Sequence, residues 1–501
     1  MILLKKHYWP YRRENIVSRT LLYLCYFCVY SIVLLIIGKS SLRDANTPED
    51  YFICERKVNL PLCVCTFTGT WISAITILSL TGSVYEDGLP ALIFSVVPWF
   101  LGAFLLGLVT RRLYQNSIIT VPELFRIRYG SRALQIVYGV IFILVYIFYL
   151  VAQYKGFGMV ASALFDIPYP VAVVMVYLFI IYTTFGGYRS VVRTDMFNLI
   201  LLTISLIVLF FSVVSQAGGL GTLYSQAGQL SGRAHAAVVS PNQPGDLLAL
   251  FGGRYTPLVS LSMFWGWGLG LAANPQYLVR LLGARDQKTA QRTVVYSLLL
   301  LAVIYFLLTN IALGMRVLIP SLPFAETTDG ILIRLINNEL YGPWSGFFLF
   351  SVIGACVSTA NSQLLLIASS FSYDVLPGIF FRDISAKQTV TLGRLAVFGG
   401  GTFSMLLTLN PPNFTLSYGG DIWGIVSILL FPPLYGTLLN IRLTKYGIWA
   451  CILVGCGSIL ILYPLYYTGA LTAHPAMFGV PLSTAAMLLV SAAERRMGEG
   501  R

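Results

Sequence analysis

The stretch GACVSTANSQLLLIASS, residues 354–370, lies in an apolar run long enough to cross a bilayer, yet it carries Ser358, Thr359, Asn361, Ser362, Gln363, Ser369 and Ser370. An unpartnered polar group costs about 2–7 kcal/mol in hydrocarbon, so such a helix cannot lie bare against lipid. At about 100° per residue, Ser358, Ser362 and Ser369 fall within about 40° of one another, and Thr359, Gln363 and Ser370 form an adjoining stripe. An arc this wide faces protein, water or an ion. Hydrogen bonding between packed helices through small hydroxyl residues is the general explanation for a membrane protein.

The rest of the chain places this helix in a membrane domain. Of 501 residues, 57% are apolar and 11% charged, with a mean hydropathy of +0.77, against a charged share of about 25% in soluble domains. Apolar runs separated by charged or Pro/Gly-rich breaks predict an all-α integral membrane protein of about 13 transmembrane helices, at 20–38, 60–86, 89–112, 134–163, 168–187, 194–215, 257–282, 293–318, 344–376, 389–408, 414–436, 446–467 and 475–493. The first run lacks a following small-residue cleavage site and reads as a retained span. One membrane domain over 1–501 is expected, since apolar spans fill it almost end to end.

The net charge of +13 does not indicate nucleic acid, because the 33 Lys and Arg residues are scattered in short clusters between apolar runs. They report topology instead. With the N-terminus outside, most of them fall in loops on the cytoplasmic side, among them Arg111, Arg112, Arg126, Arg128, Arg132, Arg280, Arg285, Lys288 and Arg292. The positive-inside rule then predicts N-out, C-in, with only the tail bearing Lys5, Lys6, Arg12, Arg13 and Arg19 opposed. The eight cysteines fall in spans or in a cytoplasmic loop and imply no external disulfide framework. His7, His235 and His474 have no metal spacing and stand beside no nucleophile, so an enzyme is not expected. No GxxxxGK[ST] is present, which argues against a pump driven by ATP.

Two spans read as interrupted. The seventh contains SLSMFWGWGLGLAANPQYLVR, where Gly266, Gly268, Gly270 and Pro275 weaken one helix near mid-depth, and the second carries hydroxyls almost throughout, with Gly69 and Gly82. Counting five helices from each gives repeat 1 over 60–215 and repeat 2 over 257–436. Helix 20–38 stands before them and helices 446–493 after. An odd number of helices per unit inverts the second relative to the first, the arrangement in which broken helices expose carbonyls to an ion at the midplane.

NTPEDYFICERKVNLPL (46–62), TVPELFRIRYG (120–130), FGGYRSVVRTDMFN (185–198), NPQYLVRLLGARD (274–286) and CVSTANSQLLLIASS (356–370) resemble, in order, motifs of the sodium/solute symporter family. The resemblance implies the inverted-repeat fold first seen in the bacterial leucine transporter. It also implies sodium-driven uptake of a small organic solute by alternating access, in the plasma (inner) membrane. Sodium, the solute and the lipid bilayer are the partners it implies, and nucleic acid is not one. A short second-span segment, SAITILSLTGSVYEDG, resembles the branch that carries monocarboxylates, iodide and vitamins, favouring an anionic or zwitterionic solute. A substrate sensor or a channel on the same fold is the alternative.

The resemblance also assigns residues. Ser358 and Thr359 match the family's sodium-binding hydroxyl pair, and neutral oxygens suit a hard monovalent cation that must also be released. Aligned carbonyls of Ser73 and Thr76 would complete the site. Asp195, in the TD motif, is implied on the ion exit path or in a second site with Asn361 and Ser362; read without the family, it caps a helix or pairs with Arg189 or Arg193. Two positions depart from the family pattern, Asn361 for the common Asp and Asn198 for the usual Gln, which leaves the number of coupled ions open. Solute contacts are expected at Lys155, Gln153, Trp265 and Asn274, although Lys155 could instead snorkel to the interface.

Overall fold

A computed structural model describes residues 16–41, 47–184, 187–232, 243–320, 328–340, 342–380, 384–411 and 415–499. The basic tail at 1–15 and the centre of the polar 216–256 stretch lie outside the described residues. The chain folds as helices, and the described residues contain no strand beyond two isolated bridges. Among the described residues, ten helices are long and apolar enough to cross a membrane, eleven when the bent pair Leu60–Trp71 and Ile75–Asp87 counts as one span. The two other expected spans appear as the 16-residue Tyr169–Thr184 and as a run of short pieces from Pro257 to Leu282.

The helix Ser345–Ser369, which continues to Phe380, is the axis of the fold. All of its residues from Ser345 to Ser369 except Phe347 are buried. Arg132–Phe165, Gly187–Gln216, Leu60–Trp71 and Ala386–Thr408 pack around it, so its polar arc meets protein and never lipid. The outermost helices show the opposite character: Leu460 and Leu489 are 76% and 70% exposed, a surface suited to acyl chains.

Helix ends follow local chemistry. Asn59, Thr120, Ser131 and Thr444 each accept a backbone N–H through the side chain, and Ser385 with Gln388 forms a reciprocal capping box. Asp286 caps Gln287–Leu318 by accepting the Thr289 N–H at 2.8 Å, which holds its carboxyl below the usual range. The helix Ile16–Ser41 lies against the bundle and is fixed by two tyrosines: Tyr23 donates to Asn337 Oδ1 at 2.8 Å and Tyr30 to Asn198 Oδ1 at 3.0 Å.

Both interrupted spans are broken, for different reasons. Leu60–Trp71 and Ile75–Asp87 meet at 60°, with Ile72 extended at ψ 104°. In the second, Pro275 has no N–H to offer the Leu271 carbonyl and forces Asn274 out of helical conformation, to ψ 120°. Upstream, Phe264–Gly268 takes a wider, π-helical turn. Gly102 lets Val96–Gln115 approach it closely, since a Cβ there would stand 2.3 Å from the Gly268 carbonyl oxygen.

Candidate ion and solute site

At the first break the backbone is freed by a side chain from another helix. In an unbroken helix the Ala74 N–H would bond the Thr70 carbonyl; here it donates to Gln153 Oε1 at 3.0 Å. The Thr359 hydroxyl faces the released oxygens, 3.3 Å from the Thr70 carbonyl and 3.3 Å from that of Ile72. These two carbonyls are the ones the Thr359 hydroxyl reaches. The Ser73 carbonyl accepts the Ile77 N–H at 3.0 Å, and the Thr76 hydroxyl turns back to the Trp71 carbonyl at 3.3 Å.

Beside Thr359, the Ser358 hydroxyl donates to Asp195 Oδ1 at 2.6 Å, and Thr66 donates to Asp195 Oδ2 at 2.5 Å. Asp195 is fully buried on Gly187–Gln216 and well inside that helix, so it is no cap. Its ion-pair partner is Arg280, at 3.5 Å, in place of the nearer-in-sequence Arg189 or Arg193. Gly69 makes this crossing possible: a Cβ there would meet Ser358 Oγ at 3.2 Å and Asp195 at 3.5 Å. Ser362 joins the same cluster, 3.1 Å from the Thr70 hydroxyl. Asn361 does not, because its Oδ1 accepts the hydroxyls of Thr183 and Thr184 at 2.9 and 2.8 Å.

Ser73 and Thr76 line a closed space of about 10 Å³, walled by Trp71, Ile75, Trp99, Tyr149, Trp267, Tyr277 and Trp423, enough for one water. The rings interlock, with Trp99–Trp267 and Trp267–Trp423 centroids each 5.0 Å apart in edge-to-face contact. Three indole donors of this wall, Trp99 Nε1, Trp267 Nε1 and Trp423 Nε1, are buried without a hydrogen-bond partner, as is Gln153 Nε2 on the helix Arg132–Phe165. No charged side chain lines the space.

The other expected solute contacts are placed elsewhere. Trp265 is half-buried against the cluster of Ile428, Leu429, Tyr463 and Ala476, and Trp267 takes the place at the cavity. Asn274 caps Pro275–Leu282, with its Oδ1 accepting from Tyr146 at 2.6 Å and from the Gln276 N–H at 3.1 Å. Lys155 neither snorkels nor faces the cavity: it is buried and pairs with Asp329 at 2.8 Å. Asp421 accepts from Tyr467 at 2.7 Å and lies 3.4 Å from His474, tying the C-terminal helices to the bundle.

Sequence reasoning missed Arg280, which it counted as a loop charge. Asn274-Pro275 is a helix-start signature, and reading it so would have put Arg280 on the inward turn of a helix. The wall of Trp71, Trp99 and Trp423 carried no comparable signal, as each is an ordinary aromatic in its own span.

A family model described as the sodium:solute symporter family matches residues 51–455. The osmoregulated proline transporter OpuE of Bacillus subtilis is 24% identical over 486 residues, spanning 93% of this chain and 94% of that protein. A sodium/proline symporter of Staphylococcus aureus is 24% identical over 435 residues, spanning 84% and 81%. Among solved structures, a Na+-coupled sialic acid symporter in its substrate-bound outward-open state superposes with a TM-score of 0.76 at 18% identity, covering 94% of this chain and 97% of that one. Mhp1, a nucleobase-cation-symport-1 family transporter in a closed conformation with bromovinylhydantoin bound, gives 0.57 at 14% identity, covering 90% and 96%. These likenesses show a shared fold.

Proposed function

The chain belongs to the sodium:solute symporter family, and with sodium-coupled symport of a small solute as the premise, we propose that it imports a carboxylate-bearing, zwitterionic solute across the plasma membrane. The observation that carries the solute class is the surplus of donors at the cavity. Trp99 Nε1, Trp267 Nε1 and Trp423 Nε1, on three side chains that line it, have no acceptor, and a buried donor left unpaired costs about 1–3 kcal/mol. A carboxylate supplies acceptors, and the adjacent start of Ile75–Asp87 presents the positive end of a helix dipole. The faces of the surrounding indoles suit the cationic end, since a cation over Trp gains about 0.5–2 kcal/mol. The relatives named for proline carry a solute of this charge pattern.

In this reading sodium binds between the hydroxyls of Ser358 and Thr359 and the carbonyls of Thr70 and Ile72. Ser358 points its proton at Asp195, which leaves its lone pairs available to a cation. The units 60–215 and 257–436 then rock against each other about this site, with the N-terminus outside. The closed cavity corresponds to a state between the two open ones, and a solute expands it by separating the aromatic walls. Tracer uptake into proteoliposomes, with proline, a betaine, a monocarboxylate and a neutral sugar each offered with and without an inward sodium gradient, tests the assignment. Concentrative, sodium-dependent uptake of a zwitterion is expected. Sodium-driven uptake confined to the sugar would overturn the solute class, and flux that never exceeds equilibrium would indicate a channel.

A further inference from the structure

The turn that joins the last two helices, Lys445–Tyr467 and Ala476–Glu499, puts His474 behind the aromatic cavity. His474 is 1% exposed, and its ring fills the space left by two glycines. A Cβ at Gly266 would stand 2.7 Å from His474 Cε1, and a Cβ at Gly424 would stand 2.3 Å from the same atom. Gly266 lies in the π-helical turn Phe264–Gly268 and Gly424 in the helix Thr415–Leu438. Their neighbours in the chain, Trp267 and Trp423, are two of the indoles that wall the cavity, with ring centroids 5.0 Å apart. One imidazole thus touches both elements that carry this part of the wall. The ring is itself held in place. The His474 N–H donates to Ser262 Oγ at 2.9 Å, Nδ1 accepts the Ala476 N–H at 3.3 Å, and Nε2 lies 3.4 Å from Asp421 Oδ1. Tyr463 and Tyr466 stand edge-on to it, with centroids 5.9 and 5.7 Å away.

We infer that His474 is a specificity-determining residue that acts through Trp267 and Trp423: it backs their wall and sets the largest solute the cavity admits. A closed space of about 10 Å³ must expand to hold any solute, and how far a wall withdraws depends on what stands behind it. Close-packed interiors yield little, and here the backing is a ring bonded at its backbone, capped at one nitrogen and faced by a carboxylate at the other. A smaller side chain at this position leaves a void that Gly266 and Gly424, having no Cβ, cannot fill, so the wall gains room to retreat. The inference rests on the solute cavity proposed above, but it concerns the size of the solute and not its charge.

The test is sodium-driven tracer uptake into proteoliposomes of the full chain, with proline compared against pipecolate, its homologue with one more ring methylene. One methylene against an apolar wall is worth about 10- to 200-fold in kcat/KM, and wild type is expected to prefer proline within that range. His474→Asn keeps an acceptor for the Ala476 N–H but removes the ring. It is expected to cut the preference at least about fivefold, through a lower KM for pipecolate at little change in turnover. His474→Gln, which restores bulk and reach, is expected to recover the wild-type preference. Gly266→Ala adds a methyl against the ring, presses the wall toward the cavity and is expected to raise the preference; it carries the test if His474→Asn does not fold. Ser483→Ala removes a hydroxyl that donates to the Ile428 carbonyl at 2.9 Å, between the same helices but away from the ring. It is expected to lower thermal stability and leave the preference alone. A folded His474→Asn or Gly266→Ala protein with the wild-type preference overturns the inference, as does an equal loss of preference in Ser483→Ala. Wild type that carries sugars and no zwitterion overturns the solute class instead, and xylose against glucose then reads the same size preference.

Discussion

Gln153 holds the Ala74 amide at 3.0 Å, and this bond from one helix to the gap in another keeps the Thr70 carbonyl free of its helical partner. Gln153→Met removes the acceptor while keeping length. The Ala74 N–H then has its own helix as the nearest acceptor, and the ion loses a carbonyl. Half-saturating sodium is expected to rise at least about tenfold, or about 1.4 kcal/mol, while Gln153→Glu, which retains an acceptor oxygen, changes it less. Sodium titration of uptake separates the two, and equal sodium affinity in Gln153→Met and wild type would mean that the break maintains itself.

Thr359→Ala removes the hydroxyl that faces both carbonyls, and Ser358→Ala removes the one oriented by Asp195. Each is expected to raise half-saturating sodium about tenfold or more, and the double variant further, since water cannot replace ligands in so closed a site. Solute affinity at saturating sodium should change little. A double variant that folds and keeps wild-type sodium activation removes these residues from the site.

Lys155 and Asp329 form a buried pair, and breaking such a pair from one side costs about 3–5 kcal/mol. Lys155→Met is expected to lower thermal stability in detergent markedly, with Lys155→Met plus Asp329→Leu recovering most of the loss. A single variant as stable as wild type would show that the pair is dispensable for folding, and loss of solute binding without loss of stability would return Lys155 to the solute.

Trp267→Phe keeps a ring in the wall but deletes an indole donor that has no partner in the closed cavity. The solute KM is expected to rise about ten- to 150-fold, the equivalent of one hydrogen bond to a charged acceptor at about 1.5–3 kcal/mol, with sodium activation nearly unchanged. An unaltered KM would mean that the Trp267 N–H meets no solute oxygen.

Much of this was legible in the chain because composition and periodicity report solvent. The polar arc of 354–370 announced a helix enclosed by protein, and it is the most enclosed helix of the bundle. The pair Ser358 and Thr359 was singled out by its resemblance to the family's hydroxyl motif, since the arc alone is equally suited to packing between helices. What periodicity cannot carry is pairing between distant segments. The register of the freed carbonyls depends on Gln153, 79 positions from Ala74, and the carbonyls that the Thr359 hydroxyl reaches are those of Thr70 and Ile72. Lys155 found its counter-charge in a turn 174 positions away, and Arg280 found Asp195 across three helices. In each case the local sequence states that a charge or an amide needs a partner without stating which one.

The tyrosine anchors of the first helix bear on how the protein is made. Tyr23 bonds Asn337, 314 positions downstream. At about 5–20 residues per second of synthesis, roughly 15–60 s pass between the ribosome's adding one and adding the other. Ile16–Ser41 sits in the bilayer with the Tyr30 hydroxyl unclaimed until Asn198 is made and the Tyr23 hydroxyl unclaimed until Asn337 is made, so this span is inserted well before it is locked. Nascent chains stalled before Asn337 should therefore hold this helix loosely enough for neighbouring lipids or the insertion machinery to be crosslinked to it, and chains stalled well beyond it should not.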